Sequence, residues 1–318
     1  MSEPVRLFTG TSNPELAQKI AHRLRIPLTR AIVSRFSDGE IRVEVREHVR
    51  GSQAVIIQST SAPANETLME LLLMADALRR SSVDDIYAVI PYLGYSRQDR
   101  RPGFSRVPIT ARVVAELMQT VGIKHILTVD LHATQIQGFY NIPMDNISAV
   151  PLFTADIYKR WDVHKDRVMI VSPDTGGVVR ARDLGKQLEL DLAIIDKRRP
   201  RANYSEVMNI IGDVEGRVCV LVDDLVDTAG TLCKAADALT KAGAKQVVAY
   251  CTHAVLSGNA YENINNSSMT KLFVTDSIRL THNQTKYPKI EQISISDTVA
   301  ETIDRMIKNE SISSILEC

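Results

Sequence analysis

The sequence predicts an α/β protein in which largely parallel sheets are covered by helices. Short runs of aliphatic and β-branched residues alternate along the chain with longer segments that have the 3.6-residue period of amphipathic helices. Runs that are apolar throughout are typical of strands buried on both faces. The alternation continues through all 318 residues, a length that suits about two domains.

The predicted strands are the apolar runs, and the predicted helices lie between them. The first strand is Val5 to Thr9, and Asn13 with Pro14 supplies an N-cap and a first-turn proline for a helix that ends near Leu24. Further strands are predicted at 54–57, 86–90, 125–129, 168–171, 192–195, 218–222 and 247–250. Further helices are predicted near 66–80, 109–121, 177–188, 230–242 and 297–308. Ligands of such folds bind at the carboxyl ends of the strands.

The turn-rich segment 141–151 divides this series into two similar halves. We expect residues 1–148 to form one domain, with segment 307–318 packing back on it, and residues 149–306 to form the second. Segments 17–36 and 183–199 share the order helix, short turn and strand, which suggests an internal duplication.

Composition excludes several classes of function. Lys plus Arg number 38, as do Asp plus Glu, so the formal net charge is zero and any anion must bind to a local cluster. The N-terminus lacks the apolar run of a signal peptide, and the four cysteines form no CxxC pair. We therefore expect a cytoplasmic protein with no nucleic-acid or membrane partner.

The strongest site signal is the segment RVCVLVDDLVDTAGT at 217–231. Its predicted strand leads to Asp223 and Asp224, a pair of carboxylates that suits the vicinal hydroxyls of a sugar. Small and hydroxyl-bearing residues then precede a helix, so that backbone N–H groups can surround a phosphate. These residues are Asp227, Thr228, Ala229, Gly230 and Thr231. The alternative is an ordinary turn with an Asp as helix cap.

A second strand end, IVSPDTGGVVR at 170–180, predicts a pyrophosphate loop. Adjacent glycines allow close approach of the backbone, and Asp174 can reach the phosphates through a hard cation. The loop comprises Asp174, Thr175, Gly176 and Gly177, although a Gly-Gly pair is more often a plain turn. The chain has neither a Walker P-loop nor a GxGxxG pattern.

The segment TVDLHATQIQGFY at 128–140 suggests metal ligands at a third strand end. Asp130 and His132 lie on one side of an extended segment there. No second histidine or cysteine stands at a zinc spacing, so magnesium shared with nucleotide phosphates is expected. The candidate ligands are His132 and Asp174, with Asp130 as a further one, and the alternative for a lone histidine is a structural role.

Three remaining segments are rich in charge. DKRRPRAN at 196–203 predicts a loop that closes over phosphates, in which Lys197 and Arg199 point the same way if extended; a solvated surface loop is the alternative. FSDGE at 36–40 and YSRQDRR at 95–101 suit an adenine and polyphosphate pocket. The candidate ATP ligands are Phe36, Asp38, Gly39, Glu40, Arg97, Gln98 and Asp99.

Together these segments resemble the ribose-phosphate pyrophosphokinases of the phosphate-dependent bacterial type. The resemblance extends from FSDGE through RQD, VDLHATQIQGF, VSPDTGG, IIDKRRPRAN and LVDDLVDTAGT to SGNA near Ser257. It implies two phosphoribosyltransferase-like domains and transfer of the pyrophosphoryl group of MgATP to the C1 hydroxyl of ribose 5-phosphate. It also implies a hexamer of three dimers and activation by inorganic phosphate.

The resemblance also implies roles for individual residues. Lys197 and Arg199 become catalytic cations, and Arg199 also contacts ribose 5-phosphate. Asp223 and Asp224 become ligands of the ribose hydroxyls, residues 227–231 hold the 5-phosphate, and part of the ATP site comes from a neighbouring subunit's loop. The residues implied for effector binding are His48, Arg50, Ser311 and Ser313.

Three positions depart from the family pattern. Ala229 stands where many relatives have Gly, which we expect to be tolerated if the backbone φ there is negative. Asn141 replaces an Asp of a common signature, and His48 replaces a Ser of regulated members. The alternatives to a pyrophosphokinase are a phosphoribosyltransferase and a catalytically silent paralogue, and formation of AMP from ATP and ribose 5-phosphate separates all three.

Overall fold

The structure is a computed structural model that describes residues 4–198, 207–280 and 285–316. Its residues divide into two units. The first unit comprises Met1–Ile147, Ser277–Arg279 and Ser294–Glu317, and the second comprises Ser148–Asp276 and Leu280–Ile293. No helix in the described ranges is long and apolar enough to span a membrane.

Strands and helices alternate along the chain as the sequence predicts. The strands are β1 (Val5–Thr9), β2 (Ala31–Arg35), β3 (Ile41–Val45), β4 (Gln53–Ile57), β5 (Asp85–Ile90), β6 (His125–Val129), β7 (Met144–Ile147), β8 (Val168–Ser172), β9 (Leu192–Arg198), β10 (Val207–Ile211), β11 (Val218–Val226), β12 (Gln246–Ala254), β13 (Lys271–Thr275) and β14 (Ile290–Ile293). The α-helices are α1 (Pro14–Leu24), α2 (Ala64–Arg80), α3 (Thr110–Thr120), α4 (Val150–Arg160), α5 (Val178–Leu188), α6 (Gly230–Lys241), α7 (Ala260–Asn266), α8 (Ser296–Ile307) and α9 (Ser313–Leu316). A 3-10 helix spans Thr134–Phe139.

The sheet of the first unit has the order β1-β4-β5-β6-β7, and all of its pairs are parallel. Strands β2 and β3 form a separate antiparallel hairpin. Helix α1 begins as predicted, because the Asn13 side chain accepts a hydrogen bond from the Leu16 N–H at 3.2 Å and Pro14 occupies the first turn. Its buried stripe includes Leu16 and Ile20, and the helix contacts α8 near the C-terminus.

The sheet of the second unit has the order β10-β9-β8-β11-β12-β13-β14. Its pairs are parallel except for β10, which runs antiparallel to β9. The central strand β11 is longer than predicted, because its pairing with β12 continues past Asp223 to Val226. Asp223 and Asp224 therefore lie within the last part of the strand, and the 227–231 turn follows directly.

Candidate functional site

Two neighbouring strands bring the predicted acidic residues to one edge of the second sheet. Strands β8 and β11 pair in parallel, with Val218 opposite Val168 and Leu221 opposite Val171. Their carboxyl ends therefore lie side by side. Asp174 follows β8 and Asp223 lies near the end of β11, and the charge of Asp174 acts on Asp223. The predicted loop 174–177 and the acidic pair thus belong to one locality.

The carboxyl group of Asp223 has an unusual environment. Burial is the main cause that raises its pKa, to about 8, and the nearby charges of Asp224 and Asp174 raise it further. Its Oδ1 atom accepts a hydrogen bond from the Asp224 N–H at 2.9 Å, which acts in the opposite direction. Asp224 is itself buried, with 9% of its surface exposed. Such a pair favours partners that donate hydrogen bonds or carry positive charge.

The loop after β8 is shaped by its own aspartate. Asp174 Oδ1 accepts a hydrogen bond from the Gly177 N–H at 3.0 Å, and Ser172 Oγ donates to the Asp174 carbonyl at 2.6 Å. A Cβ atom added at Gly177 would lie 3.1 Å from Ser172 Oγ. Gly177 therefore allows the tight packing of this loop, while Thr175 and Gly176 are exposed at its surface.

The 227–231 turn corrects one expectation. Ala229 has φ 61° and ψ 0°, the left-handed conformation, whereas a negative φ was the condition on which alanine was expected to be tolerated. An L-residue there costs roughly 1–2 kcal/mol relative to a right-handed conformation. The Ala229 methyl is buried, with 4% of the residue exposed, so its packing offsets part of that cost.

The first unit gathers a second group of predicted residues. Strands β5 and β6 are parallel neighbours, so the segments after them lie at one sheet edge. Asp99 Oδ2 accepts a hydrogen bond from Gln135 Nε2 at 2.5 Å, which joins the 97–99 segment to the 3-10 helix that follows His132. Arg97, Gln98 and His132 are exposed. This edge therefore presents cationic and hydrogen-bonding groups to solvent.

Asp130 differs from its neighbour His132, because it is buried, with 7% of its surface exposed. Its φ of 40° lies in the left-handed region, and its N–H donates to the Ile147 carbonyl at 2.9 Å. The main chain at the end of β6 is thus held to the end of β7.

The predicted residues 36–40 form the tip of the β2–β3 hairpin. Gly39 has φ 96°, and its N–H donates to the Phe36 carbonyl at 3.0 Å. Asp38 Oδ1 accepts from the Glu40 N–H at 3.1 Å. The Phe36 ring is 53% exposed, which is unusual for a large apolar side chain and makes it available to an aromatic ligand.

The predicted metal ligands do not assemble within one unit. His132 belongs to the first unit and Asp174 to the second. Across the described ranges, no three His, Cys, Asp or Glu side chains are grouped as a metal site. The carboxylates around Asp223 nevertheless fit a magnesium ion that is carried mainly by phosphate oxygens and water, since such ions need only one or two protein carboxylates.

The basic segment predicted as a loop at 196–203 begins inside a strand. Asp196 and Lys197 belong to β9, in register with Asn209 and Met208 of β10. The polar residues continue the strand because β10 pairs with them. The predicted residue Arg199 lies outside the described residues.

The four residues implied for effector binding are exposed at the surface of the first unit: His48, Arg50, Ser311 and Ser313. Ser311 Oγ donates to Ser313 Oγ at 3.1 Å, and Arg305 Nη1 donates to the Ser311 carbonyl at 3.0 Å.

Sequence reasoning missed two residues that contact the 227–231 turn. The Ser257 N–H donates to the Asp227 carbonyl at 3.1 Å, and the Ser257 hydroxyl donates to Asp227 Oδ1. Asn263 Nδ2 donates to the Thr228 carbonyl at 2.9 Å. The only sequence signal was the SGNA motif, which begins at Ser257 just after β12, the neighbour of β11.

Comparisons with known proteins agree with these observations. Family models match residues 5–122, as the N-terminal domain of ribose phosphate pyrophosphokinase, and residues 199–317, as a phosphoribosyl synthetase-associated domain. A ribose-phosphate pyrophosphokinase of Vibrio parahaemolyticus is 57% identical over 312 residues, which are 98% of each chain. One of Marinomonas is 56% identical over 310 residues, covering 97% of this chain and 98% of the relative.

A solved structure is similar over nearly the same extent. The crystal structure of phosphoribosylpyrophosphate synthetase from Mycobacterium smegmatis is 38% identical, with a TM-score of 0.90. The match covers 96% of this chain and all of that one. The predicted fold class, two tandem domains that each contain a mostly parallel sheet flanked by helices, is confirmed, as is the resemblance drawn from the motifs.

Proposed function

The chain belongs to the ribose-phosphate pyrophosphokinase family, and we propose that it carries out its reaction at the carboxyl edge of the second sheet. It transfers the pyrophosphoryl group of ATP to the C1 hydroxyl of ribose 5-phosphate, giving 5-phosphoribosyl 1-diphosphate and AMP. The observation that supports this location is the pairing of β8 with β11, which brings the 174–177 loop to the same sheet edge as Asp223, Asp224 and the 227–231 turn.

Ribose 5-phosphate binds to β11 and the turn after it. Asp223 and Asp224 accept hydrogen bonds from the ribose hydroxyls. Burial and like charge raise the pKa of Asp223, and hydroxyl donors are suitable partners for such a buried carboxylate. The N–H groups and hydroxyls of 227–231, at the start of α6, hold the 5-phosphate. The sugar is thereby oriented with its C1 hydroxyl toward the loop 174–177.

Positioning and charge stabilisation account for the reaction. In-line attack of the C1 hydroxyl on the β-phosphorus increases negative charge on the phosphate oxygens. Lys197 and Arg199 neutralise this charge, and Asp174 would hold magnesium, which would supply further positive charge to those oxygens. A strong general base is not assigned.

The finer assignments are proposed on the same grounds. ATP binds to the exposed Arg97 and Gln98 and to the half-buried Asp99, with the hairpin tip 36–40 serving the site of a neighbouring subunit. We also propose a hexamer of three dimers, a cytoplasmic location and activation by inorganic phosphate. Solution mass and a titration of initial rate against phosphate and ADP test the assembly and the regulation, and a hyperbolic rate without a phosphate requirement would contradict the latter.

The catalytic assignment is tested with Lys197→Ala. Loss of one charged stabiliser lowers turnover at least about 10²-fold, while KM for ribose 5-phosphate changes little. AMP release from ATP, magnesium and ribose 5-phosphate is measured, with Lys186→Ala on the exposed face of α5 as the matched control. Unchanged turnover in Lys197→Ala would remove this residue from the mechanism.

A further inference from the structure

The carbonyl groups of residues 226–228, at and just before the start of the 227–231 turn, accept hydrogen bonds from one neighbouring segment, residues 256–263. Three successive carbonyls accept hydrogen bonds from it at distances of 2.9 to 3.1 Å. The three bonds run from Leu256 N to Val226 O, from Ser257 N to Asp227 O, and from Asn263 Nδ2 to Thr228 O. The last of them is the only one that depends on a side chain.

These bonds fix the direction of the N–H groups in the turn. A trans peptide unit is planar, so its N–H points opposite to its own carbonyl. With the Asp227 and Thr228 carbonyls turned toward 256–263, the N–H groups of Thr228 and Ala229 point away from that segment. Within the described residues neither of these N–H groups donates a hydrogen bond to the chain. Successive N–H groups beside a left-handed residue such as Ala229 form a concave anion site.

The Asn263 amide is well suited to hold this arrangement. It lies on α7, which is fixed in the core by Ala260 and Ile264, both fully buried, and by Tyr261, which is 5% exposed. Ser257 adds a second constraint, because its hydroxyl donates to the Asp227 carboxylate. That bond keeps a negative charge on the side of 256–263, away from an anion bound to the N–H groups.

We propose that Asn263, assisted by Ser257, is a positioning residue for the phosphate of ribose 5-phosphate. It does not touch the substrate. It holds the Thr228 carbonyl, and so presents the Ala229 N–H to the phosphate before the substrate arrives. This inference rests on the proposed function, which places the phosphate at 227–231.

The test is Asn263→Ala, compared with Asn265→Ala on the same helix. Both side chains are exposed, and within the described residues the Asn265 side chain makes no hydrogen bond. Loss of one neutral hydrogen bond corresponds to about a fivefold rise in KM for ribose 5-phosphate. KM for ATP should stay unchanged in both variants, and the thermal midpoint should move by less than about 2 °C. Asn263→Asp should raise KM further, since a carboxylate would face the Thr228 carbonyl.

The results separate this inference from the site assignment. A parallel rise of both KM values with a lowered thermal midpoint would indicate a merely structural role and overturn the proposal, as would an unchanged KM for ribose 5-phosphate. Thr231→Val, which removes a hydroxyl inside the turn, serves as the reference. If it raises KM for ribose 5-phosphate while Asn263→Ala does not, only the positioning role is wrong. If neither variant changes KM, the phosphate site itself is misplaced.

Discussion

Replacing Asp223 by asparagine should stabilise the second unit while impairing the enzyme. Burial and the charges of Asp224 and Asp174 raise the pKa of Asp223 to about 8, whereas an unfolded Asp titrates near 4. The folded state therefore holds a proton that the unfolded state releases between about pH 4 and pH 8. Wild-type stability falls as pH rises through this window, because ionisation favours the unfolded chain.

The expected size follows from the same pKa. Each pH unit above the unfolded pKa is worth about 1.4 kcal/mol, so at pH 7 the upper limit is about 4 kcal/mol. Asp223 retains partial exposure, which reduces this value, and we expect Asp223→Asn to stabilise the fold by about 1–3 kcal/mol at pH 7. Below about pH 3 the difference should vanish, since the carboxyl is then neutral in both states.

Urea unfolding at fixed protein concentration and without divalent ions measures the effect. The single Trp of the sequence, Trp161, lies in the second unit with its ring 6.2 Å from that of Phe273, so its fluorescence reports on this unit. Asp183→Asn on the exposed face of α5 is the control, expected to change stability by less than about 0.5 kcal/mol. A stability difference for Asp223→Asn that is the same at pH 4.5 and pH 7.5 would refute the reasoning. KM for ribose 5-phosphate should rise in the same variant.

Two other predictions concern the turn and the thiols. Ala229→Gly should change the free energy of unfolding by less than about 1 kcal/mol, because relief of about 1–2 kcal/mol of backbone strain is offset by glycine flexibility and the lost methyl packing. Urea unfolding measures this change. A rise in KM for ribose 5-phosphate beyond about twofold would contradict the inference that the 227–231 turn binds phosphate equally well with glycine at position 229. Cys219, Cys233 and Cys251 are buried, and burial raises the pKa of each thiol, that of Cys219 to about 11. At most one of the four thiols per chain should therefore react with an aromatic disulfide reagent before urea is added, and all four should react after it.

The central strands could be predicted from sequence because they are buried on both faces. Strand β6 agrees with the prediction residue for residue, since its apolar run has clear ends. Strand β1 agrees as well, although it lies at an edge of its sheet. The strands β3, β7, β10, β13 and β14 were missed. Three of them, β7, β10 and β14, lie at an edge of their sheet and contain polar residues, such as Asp145, Asn209 and Glu291. An edge strand has one unpaired side and needs fewer apolar residues, so its sequence signal is weak.

The candidate site, like the fold, could be predicted only in part from the sequence. Residue type and order located the acidic pair and the turn, because carboxylates and small residues after a buried strand suit a sugar phosphate. The positive φ of Ala229 could not be predicted, since alanine gives no preference for it and the surrounding hydrogen bonds impose it. Asn263 gave no signal either, because an exposed amide on a short polar helix becomes informative only when its partner, the Thr228 carbonyl, is known.

The path of the chain between the two units bears on how the protein is made. The first unit includes α8 and the residues just before it. Lys19 of α1 contacts Ser294, and Arg23 of α1 contacts Asp297 of α8. The ribosome therefore synthesises the second unit, which lies almost wholly upstream of α8, before it adds the residues that complete the first unit. Expression of residues 1–147 alone would leave the buried side of α1 without its covering helix. The first unit can thus complete its fold only after the second unit has been synthesised.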